Sequence, residues 1–422
     1  MAEEREGRAE IRAKLQAAGY RLVQLDPKID SHSNRRVDAL AYAANANGDL
    51  VPWLAVEAKN GANIKPEVTL SQLRKGRELL GTVEHYAVVN GQWFRADRSM
   101  RSMELVDGPV NPAYGDFGFL TDPALATSLL VDRLWFEAEK ARDKGHPVGF
   151  SFPPADLLAE TPVSGIETAS GEFIPVRHDV LWQARRRALA SFALKAPHPG
   201  EHTTAPVIAD AVSSLIGKKL GGTVLDPFCG TGNFLWGAMD RARELDRSVE
   251  FFGQEINTQL AELAEKIART APTLARITAD DSFSTELPEA DIIVTAPPFG
   301  PHMQQPWTLL TGVPTRDFEV AAIDLCMRKL RRGGRAVFLL PNNITFKQTL
   351  ESYRRYLASE YRVGALIGLP AGALDTIRAV LLVIDRAEPG ETFVAQLGED
   401  WATQLSETGA AMNAALEHLD GE

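Results

Sequence analysis

The sequence contains only two cysteines in 422 residues, Cys229 and Cys326. That is too few for a disulfide framework, and their separation has no zinc-ligand spacing, so both read as free thiols. No run approaches the roughly 18 apolar residues of a membrane span. The opening MAEEREGRAEIRAKL is charged where a signal peptide would be apolar, so a cytoplasmic protein with no membrane partner is expected. Internal repeats and low-complexity tracts are also missing, which excludes solenoid architectures. Basic excess is missing as well: 45 Lys and Arg face 56 Asp and Glu, a net charge of −11. This argues against a protein that coats nucleic acid but leaves room for a local basic groove. The first 100 residues carry a net +2, so the remainder carries −13. The basic runs are Arg185, Arg186 and Arg187, then Arg328, Lys329, Arg331, Arg332 and Arg335, then Arg354 and Arg355. Each reads first as a solvated face and second as a phosphate contact.

What is present is a chain with 45% hydrophobic residues, long enough for two or three domains. Its organising stretch is TVLDPFCGTGNFL at 223–235. Thr223, Val224 and Leu225 have the character of a buried strand, and Gly230 and Gly232 permit a turn into a helix starting near Asn233. In a doubly wound α/β fold, ligands sit at the carboxyl ends of the strands, which puts Asp226 at the mouth of the crevice. Strand and helix patterns then alternate through seven expected strands at 223–227, 250–255, 275–279, 290–295, 335–341, 363–369 and 380–385, the signature of a mostly parallel sheet. Glu255 ends the second strand, where an acid accepts both hydrogen bonds of a ribose diol. Asp281 follows the third, placed to accept from an adenine amine, with the adjacent Asp280 as the alternative.

Ahead of this core, residues 3–18 read as an amphipathic helix closing at Gly19. Two strand-like runs flank the turn at 47–49. Period-two alternation puts Glu57 and Lys59 on one face of the second run, and a simple hairpin register sets Asp38 across from them. Two carboxylates and a lysine in that arrangement form a physically sensible nuclease centre, with Asp38 and Glu57 holding Mg²⁺ and Lys59 orienting water. The alternative is a surface hairpin with a solvated Glu and Lys. Residues 101–175 are punctuated by proline around one helix at 123–144, capped by Asp122 or Thr121. The acidic end, 388–422, closes in a helix at 402–419.

Several of these stretches resemble known families. LAVEAKNG at 54–61, Gln72 and HYAVVNGQWFRAD from His85 resemble the nuclease-like domain at the front of type I restriction subunits, a member of the PD-(D/E)XK superfamily. Its upstream helical acid would be Glu10. DPFCGTGNFL from Asp226 resembles the S-adenosylmethionine loop of amino-methylating DNA methyltransferases. The resemblance implies cofactor contacts from Asp226, Pro227, Phe228, Cys229, Gly230, Thr231, Gly232, Phe234, Glu255 and Asp281. GEHTTAP at 200–206 is similar to the segment that covers the cofactor in type I modification subunits, adding Thr203 and Thr204. Late motifs such as KLRRGGRAVFLLPNNITF extend that likeness over residues 198–386.

The implied fold is a Rossmann-like, seven-stranded S-adenosylmethionine-dependent methyltransferase of α/β class preceded by a small α/β nuclease-like domain. The expected boundaries are 1–100 nuclease-like, 101–177 linker, 178–396 methyltransferase and 397–422 acidic tail. The implied activity is DNA adenine-N6 methylation in a restriction-modification or phage-defence system. Double-stranded DNA and a separate DNA-specificity subunit are the expected partners. The fourth strand ends in Ala296, Pro297, Pro298 and Phe299, which resembles the tail of N-P-P-F, the motif that receives a flipped base. The resemblance assigns Phe299 to stacking and the Pro297 carbonyl to one amino hydrogen. The first motif residue accepts the other, and here it is Ala296. That departure fits an engineered trap, decay to a cofactor- or DNA-binding scaffold, or replacement by Asn342 or Asn343. A further alternative makes the amino-terminal domain the enzyme.

Overall fold

The computed structural model describes residues 2–28, 35–115, 117–143, 164–195, 204–269, 271–374 and 376–421. The chain forms two compact units, Met1–Arg133 with Thr161–Ala184 and Leu134–Glu160 with Arg185–Glu422.

In the first unit, α1 (Ala2–Ala17) buries Ile11 and Leu15 and ends before Gly19, whose φ of +94° makes the left-handed turn that terminates a helix. Strands β1 (Arg21–Leu25), β2 (Ala39–Ala44) and β3 (Asp49–Lys59) form an antiparallel meander. Pro52 has no N–H for the ladder, and the β2–β3 register shifts where Tyr42 faces it. Helix α2 (Leu70–Leu80) then crosses over to β4 (Glu84–Val89), which lies parallel to β3. Strands β5 (Gln92–Ala96) and β6 (Met103–Val106) continue the sheet antiparallel, and β7 (Phe119–Leu120) pairs with β3. The Asp122 carboxylate caps α3 (Pro123–Asp143), accepting the Ala124 N–H at 2.8 Å. A short hairpin of β8 (Gly165–Glu167) and β9 (Phe173–Pro175) precedes α4 (His178–Lys195).

The second unit opens with α5 (Pro206–Leu215) and is built on one eight-stranded sheet. Its strands are β10 (Gly222–Asp226), β11 (Val249–Glu255), β12 (Ala275–Ala279), β13 (Ala290–Thr295), β16 (Leu330–Pro341), β17 (Arg362–Leu374), β18 (Ile377–Asp385) and β19 (Phe393–Gln396). The spatial order is β12-β11-β10-β13-β16-β18-β17-β19, with β18 antiparallel to both neighbours. The order reverses between β10 and β13, which is where such sheets open a crevice. Helices α6 (Asn233–Glu244), α7 (Thr258–Ala268), α8 (Phe318–Lys329) and α9 (Glu351–Glu360) join the strands. All seven expected strands are present. Two features were not foreseen: the eighth strand, β19, and a separate hairpin of β14 (His302–Thr308) and β15 (Pro314–Asp317).

The acidic end forms two helices where the sequence pattern predicts one, α10 (Trp401–Gln404) and α11 (Ala410–Asp420), and it packs into the fold through Met412, Ala415 and Leu419. Its anchor is Arg335, wholly buried on β16. The guanidinium donates to Asp385 at 2.7 and 3.1 Å and to Asp420 at 2.9 Å. Arg335 is therefore a structural cation rather than a phosphate contact. Arg185 is also buried, Arg328 pairs with Asp324, and Arg331 pairs with Asp291. Among the described residues no helix is long and apolar enough to cross a membrane. Breaking a buried ion pair by removing one partner strands the other charge, so Arg335→Ala should cost about 3–5 kcal/mol in chemical denaturation. Asp420→Asn, which leaves the Asp385 pair intact, should cost less.

Candidate functional site

At the reversal between β10 and β13, the side chain of Asp226 lies wholly buried. It does not project from the crevice mouth, as the strand-end position predicted. The Thr295 hydroxyl donates to its Oδ1 at 2.7 Å and the Phe228 N–H at 3.1 Å. One carboxylate thus ties the end of β13 to the glycine loop. Burial is the main cause that pushes its pKa up to about 7; the two hydrogen bonds pull the other way and the nearby Glu255 adds to the rise.

The loop that follows is shaped by close approaches. Gly230 and Gly232 take φ of +53° and +86°. A Cβ on Gly232 would come within 2.4 Å of the Trp236 ring, so that glycine serves helix packing. A Cβ on Gly230 would meet nothing within 4 Å, leaving open space on that side of the loop. The Trp236 indole donates to the Thr231 carbonyl at 2.7 Å. Pro227, Cys229 and Phe234 are buried beneath the loop, and burial pushes the Cys229 thiol well up. Their side chains shape the loop from below.

Glu255 closes the loop from β11. Its Oε2 accepts the Gly230 N–H at 2.9 Å and its Oε1 the Asn257 N–H at 2.8 Å. Each oxygen retains acceptor capacity, which suits a vicinal diol. The Asp281 carboxylate accepts from the Phe283 N–H at 3.0 Å and the Ser284 hydroxyl at 2.7 Å, so it caps its own turn. The adjacent Asp280 is exposed and accepts from the Asp281 N–H. Thr204 is buried and lines a small cavity with Arg187, Asp210 and Asn233, at the start of α6. Thr203 lies outside the described residues.

Beyond Thr295, Ala296 and Phe299 are half-buried, Pro297 is buried and Pro298 is exposed. Glu319, buried in the first turn of α8, accepts the Gly300 N–H at 2.7 Å and so pins the end of this turn. Asp317 beside it accepts from Lys347 at 2.7 Å. Phe228, Phe283, Phe318 and Trp307 form an aromatic cluster with contacting centroids 5.1–5.7 Å apart, three pairs edge-on and Phe228–Phe283 tilted. Sequence reasoning missed Thr295, Glu319 and this cluster. The only linear signal was an acid and an aromatic side by side in Asp317–Phe318–Glu319. Asn342 turns its amide oxygen toward the Thr345 hydroxyl at 3.3 Å, and Asn343 is exposed.

In the first unit Asp38, Glu57 and Lys59 do come together. The β2–β3 register pairs Ala39 with Val56, which sets Asp38 opposite Glu57. The Ala58 N–H donates to Asp38 Oδ2 at 2.8 Å, and Lys59 Nζ lies 3.1 Å from Glu57 and 3.8 Å from Asp38. Burial, then Asp38, pushes the Glu57 pKa up to about 7. Glu10 is exposed on α1, and it is Arg8 that approaches Asp38, at 4.0 Å. The two carboxylates are already bridged by an ammonium. No group of three or more His, Cys, Asp or Glu able to hold a metal occurs among the described residues.

The raised pKa of Asp226 has a definite thermodynamic sign. Its folded value near 7 exceeds the unfolded carboxylate value, so the stability it contributes is complete below about pH 4 and is lost as pH rises through 7. Thermal melts of wild type and Asp226→Asn from pH 5 to 8 should therefore converge or cross. Wild type gains on the variant by at most about 1.4 kcal/mol for each unit below pH 7. A pH-independent difference would place the proton elsewhere.

Residues 177–407 match the family described as N-6 DNA Methylase. A type I restriction enzyme EcoEI methylase subunit from Escherichia coli is 24% identical over 215 residues, 46% of this chain and 44% of that protein. A tRNA (guanine(10)-N2)-dimethyltransferase from Methanocaldococcus jannaschii is 33% identical over 107 residues, 24% of this chain and 30% of that one. The chain thus spans less than half the length of these relatives. Among solved structures, a Listeria monocytogenes protein assigned to the class I S-adenosylmethionine-dependent methyltransferases superposes with a TM-score of 0.56 at 18% identity. That superposition covers 70% of this chain and 98% of that one, and it shows a shared fold. With more than half of its residues matched, the chain belongs to the N-6 DNA methylase family.

Proposed function

We propose that this chain binds S-adenosylmethionine and acts on adenine N6 in duplex DNA as a modification component of a restriction-modification system, with methyl transfer slowed by Ala296. The observation that carries the reading is the joint at the strand reversal. A glycine loop, an acid at the end of the next strand and the 296–299 turn are held to one another by Asp226, Thr295 and Glu255.

The residues fit the cofactor. Glu255 retains lone pairs for a ribose diol, Asp280 or Asp281 would accept from the adenine amine, and a Cβ on Gly230 would meet nothing within 4 Å, which leaves the loop open on that side. When bound, S-adenosylmethionine supplies an electrophilic methyl on sulfur. The chain's own task is to receive a flipped adenine and orient its amine. Phe299 offers a stacking face and the Pro297 carbonyl accepts one amino hydrogen. A second acceptor at position 296 would fix the other hydrogen and aim the nitrogen lone pair, and alanine has none. Thr295 and Gly300 pin the turn at both ends, so the backbone has little freedom to compensate. A cofactor-binding or DNA-binding scaffold without turnover is the limiting case of the same reading.

A second reading concerns the first unit. Its helix, three-strand meander, crossover helix and parallel fourth strand support a restriction-nuclease-like domain, with Asp38, Glu57 and Lys59 at one end of β3. The centre does not fit Mg²⁺. Lys59 Nζ lies within 4 Å of both carboxylates and Arg8 approaches Asp38 at 4.0 Å, so the charge that a cation would neutralise is already met by the chain's own side chains. A role in binding is therefore favoured over cleavage.

Ala296→Asn should raise methyl transfer to adenine by about 10² to 10³, measured with labelled S-adenosylmethionine and mixed-sequence duplex DNA. Equal activity before and after would overturn the role given to position 296. Incubation of the chain with supercoiled DNA and Mg²⁺ should leave the DNA intact. Cleavage that disappears in Asp38→Ala and Lys59→Ala would contradict the binding role.

A further inference from the structure

Between Asp291 and Glu351 lie 59 residues with only three acids, Asp317, Glu319 and Asp324, in a chain that carries 56 acids in 422 residues. All three are committed inward. Asp317 pairs with Lys347, and Glu319 is buried on the Gly300 N–H. Asp324 is wholly buried and accepts from the Trp307 indole at 2.9 Å, the Leu310 N–H at 2.7 Å and Arg328 at 2.8 Å. The stretch bearing the 296–299 turn therefore leaves no unpaired carboxylate to repel a polyanion.

The β14–β15 hairpin lies in this stretch, starting three residues after Phe299, and among the described residues it pairs with no other strand. Its anchoring is extensive. Asp324 holds Trp307 and Leu310, Arg328 donates to the Thr308 carbonyl at 2.8 Å, and Arg316 donates to the carbonyls of Met303 and Gln304 at 3.2 and 2.7 Å. A buried carboxylate and two guanidiniums thus hold a ribbon whose outward residues include His302, Gln304 and Gln305, all exposed. A two-stranded ribbon fits the DNA major groove, about 12 Å wide, and glutamine amides there pair with the N6 and N7 edge of adenine. Holding the ribbon rigid in advance lowers the ordering cost of binding.

We propose that the 302–317 hairpin is a base-reading arm that enters the major groove beside the target base, with Gln304 and Gln305 supplying sequence discrimination. This rests on the DNA-modification reading above. The test is selection of the full chain on a randomised duplex library without cofactor, followed by anisotropy on selected and scrambled duplexes. Wild type should enrich a defined sequence. Gln304→Ala/Gln305→Ala should lose about ten-fold or more of that discrimination while its affinity for scrambled duplex changes by less than about three-fold. An unchanged preference in the double variant, or no preference in wild type, would overturn the assignment. Titration of S-adenosylmethionine into both proteins separates the two ideas, because absent cofactor binding defeats the modification reading and leaves the sequence-preference result standing by itself.

Discussion

The bond from the Thr295 hydroxyl to the buried Asp226 carboxylate fixes the geometry of the second unit's crevice. It spans the point where the strand order reverses, so the glycine loop after β10 and the proline turn after β13 inherit a fixed separation. The cost is a carboxylate buried out of water, seen in its pKa of about 7. Because Thr295 immediately precedes Ala296, the same bond dictates where the side chain of position 296 stands. Glu319 repeats the device on the far side of the turn.

Buried or paired acids recur through the second unit. Asp385 and Asp420 hold Arg335, Asp324 holds the hairpin, and Asp226 and Glu255 hold the loop. The net charge of −11 therefore says little about the surface near the crevice. Several of the acids there serve as internal fasteners, so an acidic average is compatible with the DNA-directed role proposed above.

Much of this was legible in the sequence. The β-branched, apolar runs place β10, β11, β12 and β13 within a residue of expectation, and the 2.0-residue period of β3 assembles Asp38, Glu57 and Lys59 correctly. The orientation of single side chains was not legible. Strand-end logic locates Asp226 along the chain but not whether its carboxylate faces ligand or neighbour. Arg335 reads as one of a solvated basic run because its partners lie 50 and 85 residues away. The hairpin has no linear signal because 302–317 contains prolines and paired glutamines in place of alternating apolar positions, and its anchoring comes from Asp324 on another element. Glu10 illustrates the reverse error: the helix exists, but its rotation presents Arg8 to Asp38.

On the reading proposed above, the loop between β10 and α6, closed by Glu255, holds a nucleoside cofactor whatever the catalytic rate. Isothermal titration of S-adenosylmethionine into the full chain and into Glu255→Ala tests it most directly. Saturable one-site binding to wild type that is weakened at least about ten-fold in the variant, each charged hydrogen bond being worth about 1.5–3 kcal/mol, is the expected result. Binding that ignores Glu255, or no binding to wild type, would contradict it.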